Sequence, residues 1–186
     1  MVLFARNRRY YLIPVEHKKE NYGEIFDKRK NLIGRIRMRG KDIIVTEANG
    51  VVCLRLRKLG SSVKYRIEDH FGNYLGRVGV FKSHKEEIEV EDRYNKRVLF
   101  TKGFVEWTFT IQDKRKKKIA IGGTTNIMFS KDRFGIRHVR PSFLLSVKPH
   151  HPDSRFLLAV FIILLKKMSR TDISKYYLHM GPALPI

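Results

Sequence analysis

The chain of 186 residues has little cysteine, little proline and few acidic residues. Its single cysteine, Cys53, excludes an intrachain disulfide framework and a zinc site built from several thiolates, and it fits a reducing compartment. Six prolines and 13 glycines are too few for collagen-like or low-complexity architectures. Because hydrophobic residues make up 42% of the chain, we expect it to bury a core as one domain.

Long apolar segments are also missing. The longest run covers 156–165, whereas a transmembrane helix needs roughly 20 apolar residues. The apolar run at the start ends at Ala5, so we expect no secretory signal. Ser154 can cap a helix and Lys166 and Lys167 suit its carboxyl end, so the pattern predicts a short helix over about 153–168. Since this helix is apolar on every face, it must be surrounded by protein.

The shortage of acids leaves a large positive charge, because 39 Lys and Arg face 18 Asp and Glu, a formal net charge of +21. A thermostability bias raises both signs together. An excess of one sign instead favours a polyanionic partner, such as nucleic acid or an acidic membrane surface.

A short phrase recurs along the chain, in which an acidic residue is followed by a polar or glycine-containing turn and an alternating strand. The acidic positions are Asp27, Glu47, Asp69, Asp92, Asp113 and Asp132. Their separation of about 20 residues suits one β-hairpin per repeat, with the carboxylate bonding the backbone of the turn ahead of it. Six hairpins predict an all-β fold of about twelve antiparallel strands. We expect these strands to close into a barrel around the apolar helix.

This arrangement resembles the LURP-one-related and phospholipid scramblase families, which share the tubby C-terminal-like fold. The resemblance is carried by 22–27 with 32–34, by 65–69 with 75–76, by 109–113 with 119–120, and by the apolar segment 153–165. It implies a twelve-stranded barrel around a buried helix, with one domain over 1–170 and a tail over 171–186. The scramblases' calcium-binding segment corresponds here to Asp132, whose neighbours are mostly cationic. Because calcium needs six to eight oxygen ligands, we expect no calcium site.

Catalytic patterns are weak. The histidines lack metal-binding spacing, and no nucleophile elbow or phosphate-binding loop is present. Alternation places Cys53 on the outer face of its strand beside Arg55, where a packed thiol is the commoner outcome than a reactive one. We therefore expect no enzymatic activity, no cofactor and no metal.

The candidate anion-binding residues are cations on two strands and one turn. They are Arg35, Arg37, Arg39, Lys41, Arg55, Arg57, Lys58, Lys114, Arg115, Lys116, Lys117 and Lys118. Our leading hypothesis is a non-enzymatic module, cytoplasmic and peripheral at the membrane, that docks on anionic, phosphoinositide-like phospholipid headgroups. The alternatives are nucleic-acid binding through the same cations and a scaffold for an acidic protein. Charge alone does not separate them, because lipid surfaces and nucleic acids are both polyanions.

Overall fold

A computed structural model describes residues 8–18, 21–60, 64–82, 87–92, 97–102, 109–113, 115–131, 135, 137–148 and 154–167. The strands are β1 (Arg9–Lys18), β2 (Asn21–Phe26), β3 (Leu32–Arg39), β4 (Asp42–Glu47), β5 (Val52–Leu59), β6 (Lys64–Asp69), β7 (Tyr74–Lys82), β8 (Glu87–Asp92), β9 (Arg97–Lys102), β10 (Phe109–Gln112), β11 (Lys118–Lys131) and β12 (Arg137–Val147). They are followed by helix α1 (Ser154–Lys167). The predicted tail over 171–186 lies outside the described residues.

The strands form an antiparallel sheet in which each strand pairs with its neighbours in the chain. β1 also pairs with β12, through Arg9 with Ser146 and Leu12 with Phe143, so the first strand lies between β12 and β2. The described part of the chain thus contains twelve strands and one C-terminal helix. This confirms the predicted all-β architecture and places the helix within one residue of the predicted bounds at each end.

The recurring acidic residues begin hairpin turns of one design. The Asp27 carboxylate Oδ1 accepts the backbone N–H groups of Arg29 and Asn31 at 2.8 and 2.9 Å. Asp69 and Asp113 accept the equivalent N–H groups, two and four residues ahead, at 2.9 Å. Glu47 holds its turn through backbone bonds to Gly50 and Val51. The prediction that a carboxylate bonds the backbone of the turn ahead is therefore confirmed at Asp27, Asp69 and Asp113. At Glu47 the turn bonds involve the main chain alone, and the side chains of Asp92 and Asp132 lie outside the described residues.

Each of these four hairpins also carries a β-bulge at one repeated position. The strand register shifts just after the turn in the pairs β2–β3, β4–β5, β6–β7 and β10–β11. The residue six places after the acid, which is Ile33, Cys53, Leu75 or Ile119, packs in or against the main core. A bulge reverses the alternation of faces locally. The outward placement expected for Cys53 is for this reason wrong, and its Sγ instead donates to the Val45 carbonyl at 3.1 Å.

Helix α1 is buried on all sides by the inner face of the sheet. Residues 156–165 are at most 5% exposed. The Tyr10 hydroxyl of β1 donates to Ser154 Oγ at 2.9 Å, the Phe161 ring lies against Gly122 of β11, and the helix also packs on β5, β6, β7 and β12. Because strands on all these parts of the sheet contact it, the helix forms the centre of the core.

The strand ends define two edges of the sheet, which are its two rows of turns and not its outermost strands. The turns 27–31, 47–51, 69–73 and 113–117 all lie at one edge, which we call the upper edge, because antiparallel strands place alternate turns at the same end. The start of β1 and the end of β12 reach this edge as well. The two-residue turn at Gly40 and Lys41 lies at the opposite, lower edge.

Candidate functional site

Three of the predicted cations meet on the outer face of β3–β5, which we call the basic wall. Arg37 pairs across the sheet with Ile44, and Ile44 pairs with Arg55. Two strand spacings separate the arginines by about 10 Å. Arg37, Arg39 and Arg55 are exposed, and none forms an ion pair with a carboxylate that the structure describes. The structure therefore brings part of the predicted patch together.

Two other predicted cations of this wall are already engaged. Arg35 donates from Nη1 to the Ala48 carbonyl at 2.9 Å. Arg57 Nε lies 3.0 Å from Glu68 Oε2, and Arg66 donates to the other oxygen of the same carboxylate at 2.8 Å. The Glu68 side chain is only 6% exposed, so these arginines cover a buried carboxylate on the outer face. The carboxylate offsets one of their two charges, so they have less to offer a further anion.

Lys58 does not belong with Arg55 and Arg57, contrary to the sequence prediction. It pairs with Tyr65, whose ring is buried in the core, so Lys58 stands on the inner face of β5. The sequence grouped three neighbouring basic residues, but successive residues of a strand point to opposite faces. Lys41 is exposed at the lower edge, in the turn after Arg39.

Near the lower edge a small set of polar groups surrounds the end of the helix. Lys166 Nζ lies 5.5 Å from the centre of the Tyr65 ring. Burial lowers the pKa of Lys166, and nearby Asp42 opposes that effect. Burial also disfavours the charged form of the Tyr65 hydroxyl and so raises its pKa, whereas nearby Lys58 acts to lower it. These groups interact with one another, so they add little to the basic wall.

The predicted cations of 114–118 lie at the upper edge, at the other end of the sheet from Lys41. Lys114 itself lies outside the described residues. Arg115, Lys116, Lys117 and Lys118 are exposed in the turn between β10 and β11. They do not join the basic wall, so the predicted site divides into two surfaces.

The upper edge carries further cations that the sequence prediction missed. Lys28, Arg29 and Lys30 are exposed in the turn between β2 and β3. Between that turn and the turn 113–117, the strand order places only β1 and β12. Exposed Arg9 begins β1, and exposed Lys148 follows β12 and donates its N–H to the Ile119 carbonyl. These nine exposed cations, which we call the basic edge, are Arg9, Lys28, Arg29, Lys30, Arg115, Lys116, Lys117, Lys118 and Lys148.

The two basic turns share a sequence motif by which they could have been recognised as equivalent. Both begin with Asp-Lys-Arg-Lys, at 27–30 and at 113–116. The final lysine of each adopts a left-handed backbone, with φ of 68° at Lys30 and 60° at Lys116. The corresponding residues of the turns 47–51 and 69–73 are Gly50 and Gly72. Left-handed backbone costs a residue with a Cβ about 1–2 kcal/mol, so the basic turns retain lysine where glycine would fold more easily.

The buried thiol and the exposed cations differ in the chemistry that they offer. Burial raises the pKa of the Cys53 thiol to about 12, with a further contribution from Glu47 and an opposing one from Arg155. A thiol with that pKa is not a nucleophile near neutral pH. The exposed guanidinium and ammonium groups of the basic edge instead offer many N–H donors to phosphate oxygens.

Comparisons with known proteins bear on the fold. No protein-family model matches the chain, and no curated protein matches it. The X-ray structure of a protein from Arabidopsis thaliana superposes with a TM-score of 0.55 at 14% sequence identity, covering 90% of this chain and 95% of that one. At this identity the similarity shows a shared fold. Separately, no helix among the described residues has the length and apolar character needed to span a membrane.

Proposed function

We propose that this protein is a non-enzymatic module that docks reversibly on anionic phospholipid headgroups through the basic edge. The observation that carries the proposal is the grouping of nine exposed cations at one edge, without an ion pair to any carboxylate that the structure describes. The carboxylates that begin the two basic turns, Asp27 and Asp113, accept hydrogen bonds within their own turns, and each offsets one positive charge. The nine cations of the basic edge outnumber them, so this edge keeps an excess of positive charge.

The shape of this surface suits a membrane. Hairpin turns that end at one edge can touch a flat surface together, and each Lys or Arg near an anionic bilayer contributes about 1 kcal/mol. With several cations engaged at once, the attraction supports reversible docking at physiological salt. Among the described residues, no helix projects from the sheet to enter a nucleic-acid groove. This favours lipid over duplex DNA or RNA.

We also propose the finer fold assignment, a closed barrel of the tubby C-terminal-like type related to the LURP-one-related and scramblase families. The pairing of β1 with both β2 and β12, and the burial of the helix, support this assignment. The resemblance of the acid–turn–strand repeats supports the family relationship. Tubby-like proteins bind phosphoinositides through surface cations, which agrees with the proposed ligand class.

Cosedimentation tests the proposal. The protein is mixed with vesicles of phosphatidylcholine alone or with phosphatidylserine, and in parallel with single- and double-stranded nucleic acids at the same salt. We expect pelleting with the acidic vesicles only. Replacing Lys28, Arg29 and Lys30 with glutamine should weaken this binding by about 1 kcal/mol per charge.

The matched control is the wall variant in which Arg37, Arg39 and Arg55 become glutamine, since it removes the same charge from another exposed surface. We expect it to reduce binding far less. Equal losses in both variants would show a diffuse electrostatic attraction without a preferred edge. Binding to nucleic acid at physiological salt without binding to acidic vesicles would refute the lipid proposal.

A further inference from the structure

The upper edge also presents large apolar side chains to solvent. Phe71, at the tip of the turn 69–73, is 75% exposed, and Val51, at the end of the turn 47–51, is 53% exposed. These two turns are neighbours, two strand spacings or about 10 Å apart. Because the two exposed side chains lie on neighbouring turns of the same edge, one partner surface can contact both.

The Phe71 side chain projects from a turn that is held in place. Its backbone N–H donates to Asp69 Oδ1 at 2.9 Å, and Asn73 bonds both oxygens of the same carboxylate. The phenyl ring lies against the His70 imidazole, with 3.6 Å between ring centres. Hence little conformational freedom remains to be lost when the ring enters a partner.

The charge around these side chains indicates the partner. In strand order, the basic turn 27–31 comes directly before the turn 47–51, so the apolar tips continue the same edge as the basic edge. A surface that accepts cations and apolar tips in one plane is the headgroup and acyl boundary of an anionic bilayer, where positive charge meets phosphate and phenyl rings enter the apolar layer.

We propose that Phe71 and Val51 insert below the headgroups of an anionic bilayer while the basic edge contacts the phosphates, so that the protein docks with its upper edge toward the membrane. This inference rests on the proposed function and adds an orientation and an apolar anchor. Because burial of a phenyl side chain is independent of ionic strength, part of the binding should survive high salt. Phe71→Ser should lower the vesicle partition coefficient roughly tenfold and remove that salt-resistant part.

Site-specific labelling gives the sharpest test. Cys53 is buried, so a polarity-sensitive thiol dye will label an added cysteine selectively. The reporter variant is Phe71→Cys, and the controls are Arg37→Cys on the basic wall and Lys41→Cys at the lower edge, all at exposed positions. On acidic vesicles we expect the dye at position 71 to shift to shorter wavelength and to be quenched by brominated acyl chains. The dyes at 37 and 41 should change little.

The outcomes separate the two proposals. If acidic vesicles bind the protein and the dye at 37 or 41 responds instead of the dye at 71, the upper edge is not inserted and only the docking function stands. If acidic vesicles do not bind the protein, both proposals fail. If Phe71→Ser loses binding to single-stranded nucleic acid instead, the ring stacks on bases and the membrane orientation is wrong.

Discussion

The lysines in left-handed backbone allow a test in which stability and binding change in opposite directions. Lys30 and Lys116 adopt φ of 68° and 60° in the two basic turns. Glycine relieves a penalty of about 1–2 kcal/mol at such a position. Glycine also raises the conformational entropy of the unfolded chain, which lowers the free energy of unfolding by about 0.4–1 kcal/mol. Each of Lys30→Gly and Lys116→Gly should therefore stabilise the protein by about 0.5–1 kcal/mol.

The same substitutions remove cations from the basic edge. At about 1 kcal/mol per charge, each should weaken binding to acidic vesicles about fivefold, and the double variant about 30-fold. These substitutions would raise the stability of a protein selected only to fold. In a protein that uses the basic edge to bind an anionic surface, they would weaken that binding.

Urea unfolding and vesicle cosedimentation measure the two effects on the same samples. Lys28→Gly is the matched control, because Lys28 is exposed in the same turn but does not have a positive φ. It removes the same charge without relieving strain, so its free energy of unfolding should fall. If Lys30→Gly is destabilised as much as Lys28→Gly, the strain argument is refuted. If it is stabilised and still binds fully, Lys30 does not contact the membrane.

Further predictions concern the core and its titrating groups. Val160→Asp should abolish cooperative unfolding, because a carboxylate in the dry core costs several kcal/mol. Gly122→Ala should lower the free energy of unfolding in urea by about 1–3 kcal/mol, since its Cβ would overlap the Phe161 ring, and an unchanged free energy would contradict that packing. Cys53 should resist thiol reagents at pH 8 until denaturant is added. Burial acts to raise the pKa of Asp69, but the hydrogen bonds from Asn73 and Phe71 outweigh burial, so the pKa is lowered. The ionised carboxylate therefore stabilises the fold, and this contribution is lost as the carboxylate is protonated. The destabilisation by Asp69→Asn should accordingly shrink as pH falls below about 4.

The hairpin repeat was predictable because it depends on local chemistry. An acidic residue whose oxygens accept N–H groups two and four places ahead fixes a turn by itself, as Asp27 does. The apolar helix was equally clear, since a segment without a polar face must be surrounded. The bulges were not predictable from alternation, because a single extra residue exchanges the two faces. Cys53 occupies such a position, and its placement could be found only by aligning the four repeats.

Only part of the candidate site was predictable, because local sequence shows runs and alternation but not which distant segments come together. A run such as 114–118 is visible in the sequence, and so is the alternation that exposes Arg37 and Arg55. The basic edge depends on topology, because Arg9 and Lys148 come together with two distant turns only when β1 pairs with β12. The repeated Asp-Lys-Arg-Lys was a usable signal, although its meaning required the turn geometry.

Four turns of the upper edge can be compared position by position among the described residues. Each begins with an acidic residue and has a residue in left-handed backbone three places later. The two positions between them hold Lys-Arg at 28–29 and 114–115, Ala-Asn at 48–49 and His-Phe at 70–71. Of these side chains, Asn49 serves its own turn, because its Oδ1 accepts the Val51 N–H at 3.1 Å. Basic tips therefore lie on one side of the edge, and the exposed Val51 and Phe71 follow on the other. At Lys30 and Lys116 the pattern even opposes stability, which is what is expected of residues whose role lies in binding.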